Sequence, residues 1–177
     1  MALIAVALSG GVDSLRTASL IQEMGHTVVG LHMRLLPASP SGRWSTEDTL
    51  RLREESVQAL ASSLGIPVTF IDCRAAFERD VILPFLEAYR NGLTPNPCVR
   101  CNPAIKFRVI IEEALRLGAK AVATGHYARI FPPDTTSQRI RLARGRDPKK
   151  DQSYFLFGLH QAQLSNILFP LGESTKR

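Results

Sequence analysis

The sequence predicts an α/β fold: a doubly wound parallel sheet with helices on both faces and a small β-hairpin insertion. Three observations carry this expectation. Short apolar runs alternate with segments of helical period, the first run is continuous rather than alternating, and a glycine-rich turn joins that run directly to a helix.

Residues 2–8 are apolar throughout and stop at Ser9-Gly10-Gly11, as a strand buried on both faces requires. A helix follows over 14–24, with Leu15, Ala18, Leu20 and Ile21 at helical spacing and Gly25 placed to end it. Residues 27–33 give the second strand. Pro37, Pro40, Gly42 and several serines make 34–44 an irregular loop, positioned to serve as a lid. Ser45-Thr46-Glu47-Asp48 then supplies hydroxyls to cap a helix and early acids to match its dipole; that helix runs to Leu64, before Gly65. A third strand over 67–72 and a helix over 75–89 come next. Three prolines exclude helix interior from 91–103, which is expected to be a structured loop. Helical period resumes over 104–117 and stops at Gly118, and 120–124 reads as a fourth strand ending at Gly125-His126. Beyond it, 127–131 and 139–143 flank a Pro/Asp/Thr/Ser turn and form a hairpin. Residues 151–168 read as one or two short helices, followed by a polar end with no closing strand.

With 177 residues, 45% of them hydrophobic and 21% charged, the chain suits one globular domain. No apolar stretch approaches the roughly 20 residues of a membrane span, and residues 2–8 lack the flanks of a secretory signal. Three cysteines, an odd number, fit a reducing compartment, so a cytoplasmic protein with no membrane partner is expected. The net charge of +6 favours an anionic partner such as nucleotide or nucleic acid.

Chemistry concentrates in two strings. In Ser9-Gly10-Gly11-Val12-Asp13-Ser14, the glycines let backbone amides approach phosphate oxygens, the serines add hydroxyls, and the helix start favours negative charge. Asp13 fits there as a Mg²⁺ ligand or water anchor beside pyrophosphate. The loop lacks the Gly-Lys-Ser/Thr of a Walker A motif and the Gly-x-Gly-x-x-Gly of a dinucleotide fold. Cys98-Val-Arg-Cys101 is a C-x-x-C pair whose spacing alone fits redox, zinc or iron–sulfur chemistry. A four-cysteine zinc site within the chain is excluded by count. Thiolates also suit sulfur transfer, and nearby Arg100 and Lys106 are expected to lower a thiol pKa. Cys73, at the end of the third strand, reads as a core thiol.

The six-residue loop resembles the PP-loop signature of ATP pyrophosphatases, which cut ATP between the α and β phosphates. Together with Thr94-Pro-Asn-Pro-Cys-Val-Arg-Cys-Asn102, Ile105-Lys-Phe107, Ala123-Thr-Gly-His-Tyr-Ala-Arg-Ile130 and Lys150-Asp-Gln-Ser-Tyr-Phe155, it occurs in the order found in the tRNA-specific 2-thiouridylases, the MnmA/TrmU family. The resemblance implies an adenine nucleotide alpha hydrolase-like, Rossmann-like PP-loop domain. Such an enzyme adenylates O2 of the wobble uridine of tRNA with ATP and Mg²⁺, then replaces that oxygen with sulfur from a cysteine persulfide. Its sulfur donor would be a cysteine desulfurase or relay protein. By position, Ala7, Leu8, Ser9, Gly10, Gly11, Val12, Asp13 and Ser14 would hold ATP phosphates, with Met33 and Gly125 lining the nucleotide site at C-terminal strand ends. Cys101 matches the nucleophile. Asn96, Pro97 and Cys98 match the target-base loop, with Cys98 standing where some members have Asp. His126, Lys150, Asp151 and Gln152 match tRNA-contacting positions. The family's second catalytic cysteine and its tRNA-gripping domains have no counterpart in these residues, so 1–177 is expected to be part of the PP-loop ATP-binding catalytic domain of a longer protein.

Arg139, Arg141, Arg144, Arg146, Lys149 and Lys150 form a basic cluster around the hairpin, and Trp44 is a candidate to stack on a base. Some tRNA thiolases of this fold carry an iron–sulfur cluster on three cysteines; only two lie close here, and no stable cluster is expected. Two other readings compete: a PP-loop synthetase or amidotransferase that adenylates a small carboxylate, which needs no thiol pair, and a nucleotide-binding module without turnover.

Overall fold

The computed structural model describes residues 1–36, 46–135 and 137–175. The expected lid residues Pro37, Pro40 and Gly42, the stacking candidate Trp44, and Thr136 of the hairpin turn lie outside the described residues.

In chain order the elements are β1 (Leu3–Ala7), α1 (Val12–Glu23), β2 (Thr27–Arg34), α2 (Glu47–Ser63), β3 (Val68–Asp72) and α3 (Arg74–Phe77). A π-helical turn (Glu78–Ile82) leads into α4 (Leu83–Arg90), and α5 (Pro97–Cys101) is followed by a second π-helical turn (Asn102–Lys106) and α6 (Phe107–Arg116). Then come β4 (Ala121–Ala123), β5 (Ala128–Phe131), β6 (Arg141–Arg144), a 3₁₀ turn (Ser153–Leu156), α7 (Gln161–Leu164), β7 (Ile167–Leu168) and a final 3₁₀ turn (Pro170–Glu173).

Five strands form one parallel sheet in the order β3-β2-β1-β4-β7, and β5 and β6 form a separate antiparallel hairpin. The predicted fold class holds. The alternation of side chains along β1 splits the core. Ile4, Val6 and Leu8 join Ala18, Ile21, Val57 and Ala61 on the α1/α2 face, while Ala5 joins Phe107, Ile110 and Ala114 under α6 on the other. A third, smaller cluster, Cys73, Val81 and Ile105, seats α5 and its following turn against the 78–82 turn, and Cys73 is a buried core thiol as expected.

Two sequence expectations are corrected. Where the sequence predicts a structured loop without helix over 91–103, the structure builds α5. Asn96 caps it by accepting the Cys98 amide at 3.1 Å, Pro97 occupies the first turn where its missing donor costs nothing, and Pro103 falls in the wide π turn rather than in a regular α ladder. Where it predicts no closing strand after the 151–168 helices, Ile167 and Leu168 pair with Val122 and Ala123 as a fifth parallel strand. That strand is too short for its period to be read.

Candidate functional site

The order β3-β2-β1-β4-β7 reverses direction between β1 and β4, and the crevice outside their C-terminal ends is where open parallel sheets bind ligands. Both predicted nucleotide segments open there. After β1, Gly10 adopts a positive φ of 83°, and Gly11 serves as N-cap of α1 with no side chain to offer the first-turn amides. Ser14 is buried beneath the loop. Its hydroxyl donates to the Gly11 carbonyl at 2.8 Å and accepts from the Ser9 amide at 3.2 Å, so its proton is spent shaping the bend from below. Ser9, Gly10, Gly11 and Val12 are exposed and Asp13 is half-buried.

After β4, Gly125 passes so close to α1 that a Cβ would lie 2.9 Å from the Asp13 carbonyl carbon. Two residues on, the Tyr127 hydroxyl donates to Asp13 Oδ1 at 3.2 Å. The Tyr127 backbone is in turn clamped by Gln152, whose side-chain oxygen accepts the Tyr127 amide at 3.0 Å and whose amide donates to the Tyr127 carbonyl at 2.9 Å. Tyr127 was not legible as a site residue, because nothing in its spacing points to Asp13. Asp13 remains a hard oxygen donor at a helix start, the chemistry that suits Mg²⁺. Ala7 and Leu8 lie beneath the loop, and Met33 sits on β2 opposite Ile71.

The thiol pair reaches the same crevice from the side. Cys98 is exposed and Cys101 half-buried. Burial pushes the Cys101 thiol above its ordinary range; the Lys106 charge and the Lys106 backbone amide pull it partway back, and Cys98 pushes it up. The expected lowering by Arg100 and Lys106 is therefore corrected: Lys106 acts in the expected direction, Arg100 is not among the causes, and burial prevails. The Lys106 Nζ lies 3.2 Å from His126 Nε2, and His126 Nδ1 lies 2.8 Å from Thr124 Oγ1. Burial, with Lys106 second, lowers the imidazole to about 3. Lys106, five residues past Cys101, thus reaches His126, which adjoins Gly125 where that residue passes close to the Asp13 backbone.

Asn102 fixes the cysteine helix to the segment that follows the hairpin, donating to the Phe155 carbonyl at 2.7 Å, and Gln163 donates to the Pro103 carbonyl at 3.0 Å. Of Lys150, Asp151 and Gln152, only Lys150 is exposed. Asp151 accepts the Gly145 amide at 3.0 Å and the Ser153 amide at 3.1 Å. Burial pushes its carboxyl up, but these amides and the Ser153 hydroxyl outweigh it and leave the carboxyl below its usual value. In the basic cluster, Arg144, Arg146, Lys149 and Lys150 are exposed, whereas Arg141 pairs with Asp134.

Among the described residues, no three or more His, Cys, Asp or Glu side chains gather to hold a metal ion, and no helix is long and apolar enough to cross a membrane. A cavity of about 390 Å³ opens at the opposite, N-terminal ends of the strands, lined by Leu3, His26, Thr27, Gly65 and Leu117, and none of the predicted residues lines it.

The family described as the tRNA methyl transferase HUP domain matches residues 2–177. Among curated proteins, the tRNA-specific 2-thiouridylase MnmA of Syntrophotalea carbinolica is 47% identical over 98% of this chain and 47% of its own length. The protein of the same name from Chloroflexus aggregans is 46% identical over 100% of this chain and 49% of its own. The chain spans about half the length of the curated relatives it matches. A solved structure, a predicted subunit of tRNA methyltransferase from Methanocaldococcus jannaschii, shares the fold with a TM-score of 0.51 at 15% identity, covering 99% of this chain and 70% of that one.

Proposed function

Because the chain belongs to the tRNA methyl transferase HUP-domain family, we propose that it is the ATP-binding catalytic domain of a tRNA 2-thiouridylase. The uridine O2 attacks the α-phosphorus of ATP, pyrophosphate leaves, and a sulfur nucleophile then attacks C2 and expels AMP. Residues 7–14 cradle the phosphates on the open turn and first amides of α1. Asp13, oriented by Tyr127, would hold Mg²⁺, which when bound would supply positive charge beside the leaving pyrophosphate. Met33 and Gly125 border the nucleotide. Asn96, Pro97 and Cys98 face the target base at the start of α5, and Cys101 is the nucleophile: its thiolate attacks the inner sulfur of a cysteine persulfide charged by a partner protein, a disulfide forms, and the hydrosulfide released is the sulfur nucleophile that attacks C2. Exposed Lys150 and the arginines of the hairpin contact tRNA phosphates, while Asp151 and Gln152 shape the surface that presents them.

The observation that carries this reading is the convergence of the glycine-rich turn and the cysteine helix on one crevice, joined through Lys106, His126 and Gly125. A synthetase that adenylates a small carboxylate has no use for that second arm. The test is pyrophosphate release measured with and without unmodified tRNA. Stimulation by tRNA, with AMP as the nucleotide product, is expected, and Cys101→Ser should abolish sulfur transfer while ATP binding persists. Production of ADP would refute the proposal, and ATP binding without turnover under either condition would favour the nucleotide-binding module.

A further inference from the structure

The segment that follows the hairpin turns its acids inward and its cations and rings outward. Asp147 is buried and accepts the Lys149 amide at 2.9 Å, and Asp151 is half-buried on the amides of Gly145 and Ser153. Arg144, Arg146, Lys149 and Lys150 are exposed, and among the described residues 144–157 no acid is exposed to offset them. The 3₁₀ turn Ser153–Leu156 comes next. Side chains three apart lie over one another on such a turn, and Leu156 is fully buried in the cluster under α6. Tyr154 and the flanking Phe157 are thereby sent together to the outer side, 64% and 66% exposed.

Two large rings left side by side in water mark a surface that is covered when it works. Their centroids lie 6.1 Å apart with the planes tilted by 48°, so the pair does not stack face to face. Phe155 stands at 78° to Tyr154, with centroids 5.6 Å apart, and props that ring from the inner side. The whole turn is tied to the cysteine helix. Asn102 donates to the Phe155 carbonyl at 2.7 Å, and a Cβ at Gly158 would lie 3.4 Å from Pro103 Cγ and 3.9 Å from the Val99 carbonyl oxygen. The rings are thus fixed beside the helix that begins at Asn96, Pro97 and Cys98.

We propose that Tyr154 and Phe157 are a stacking platform for unpaired bases next to the target uridine, with the cations at 144–150 holding the phosphates that run past it, a role that rests on the thiolation reading. Exposed aromatic rings beside cations fit single-stranded nucleic acid, because every base offers a π face and every linkage a charge. The apolar face of a protein partner would match the rings but leave the cations without counter-charges. A duplex would match the cations but keep its base faces stacked inside, so the rings tell a loop from a stem. Gripping the neighbours of the target by their faces leaves the target base free to leave the stack and enter the crevice.

In the intact chain, affinity for an unmodified RNA hairpin with a uridine in its loop, and for a blunt RNA duplex of equal length, is measured by fluorescence anisotropy over a range of salt. Tyr154→Ala and Phe157→Ala should each weaken hairpin binding at least about fivefold with the salt slope unchanged, and leave the duplex within about twofold; Tyr154→Phe, which keeps a ring, should hold the hairpin within about twofold. Lys150→Ala should instead weaken both RNAs and lower the slope by about one. Unchanged hairpin affinity in both alanine variants, or equal losses on hairpin and duplex, overturns the proposal. So does an effect confined to self-association of the chain, which would make the patch a protein contact. Should the alanine variants not fold, the unsubstituted chain decides: 5-iodouridine placed beside the loop uridine should photocrosslink to the peptide that holds Tyr154 and Phe157, and crosslinks only elsewhere overturn it. Pyrophosphate release separates the two readings. Ring-dependent hairpin binding without release stimulated by tRNA refutes thiolation alone, and stimulated release with ring-independent hairpin binding refutes the platform alone.

Discussion

Replacing Gly125 by alanine tests how the crevice is built. An added Cβ would lie 2.9 Å from the carbonyl carbon of Asp13, 3.0 Å from its oxygen and 3.1 Å from the Ser14 nitrogen. All three are backbone atoms of the first turn of α1, so no side-chain rotation relieves the contact; either β4 or the glycine-rich turn must move. Overpacking of this kind costs about 1–3 kcal/mol. For a domain of this size that corresponds to a fall in Tm of about 2–12 °C, at roughly 2–4 °C per kcal/mol. Gly11→Ala is the internal control. Its Cβ would meet only Ser9 Oγ at 3.5 Å, and its backbone, at φ −90°, suits any residue. Gly11→Ala should melt with the unsubstituted chain yet bind ATP more weakly, because the added methyl faces the phosphates, whereas Gly125→Ala should lose stability and nucleotide affinity together. Thermal unfolding by circular dichroism and ATP titration calorimetry provide both readouts. If Gly125→Ala melts with the unsubstituted chain and binds ATP equally well, the close approach of β4 to α1 does not position the phosphate loop.

Two other expectations follow from named contacts. Tyr127→Phe removes the hydroxyl that donates to Asp13; a loss of about 0.5–1.5 kcal/mol in chemical denaturation and slower pyrophosphate release are expected, with Cys101 alkylation unaffected. The His126 imidazole has its pKa lowered to about 3 by burial, so on acidification the unfolded chain takes up a proton below about 6.5 that the folded chain refuses. Stability should therefore fall with pH across that window, by at most about 1.4 kcal/mol per pH unit from this group. Denaturant midpoints measured between neutrality and the carboxylate range should show the slope, and His126→Gln should flatten it; an equal slope in the variant would assign the acid sensitivity elsewhere.

Most of the architecture was legible because it rests on local signals. The uninterrupted run before Ser9, the helical spacing of Leu15, Ala18 and Ile21, and the glycines at 25, 65 and 118 each mark an element or its end, and all three glycines take positive φ as helix stops. The cysteine helix was not legible. Pro97 and Pro103 look like breakers until one sees that the first sits where a helix lacks a donor requirement and the second inside a widened turn. At the candidate site, Asp13 and Ser14 were singled out from their string and Cys101 and Gly125 from the family resemblance, but the inward contacts of Asp151, Gln152 and His126 were not legible. A hydrogen bond such as Tyr127 to Asp13 joins residues with no common period, and sequence spacing carries no trace of it.

The pairing of β1 with β4, which sets Ile4 beside Ala121, also governs when the crevice comes into being. Parallel neighbours so distant along the chain meet only after the intervening helices have been made, and closure over such a contour is entropically slow. During synthesis the glycine-rich bend emerges early yet stays half a cradle until the strand preceding Gly125 arrives. Nucleotide capture by a nascent chain would therefore register the completion of the sheet rather than the appearance of the motif.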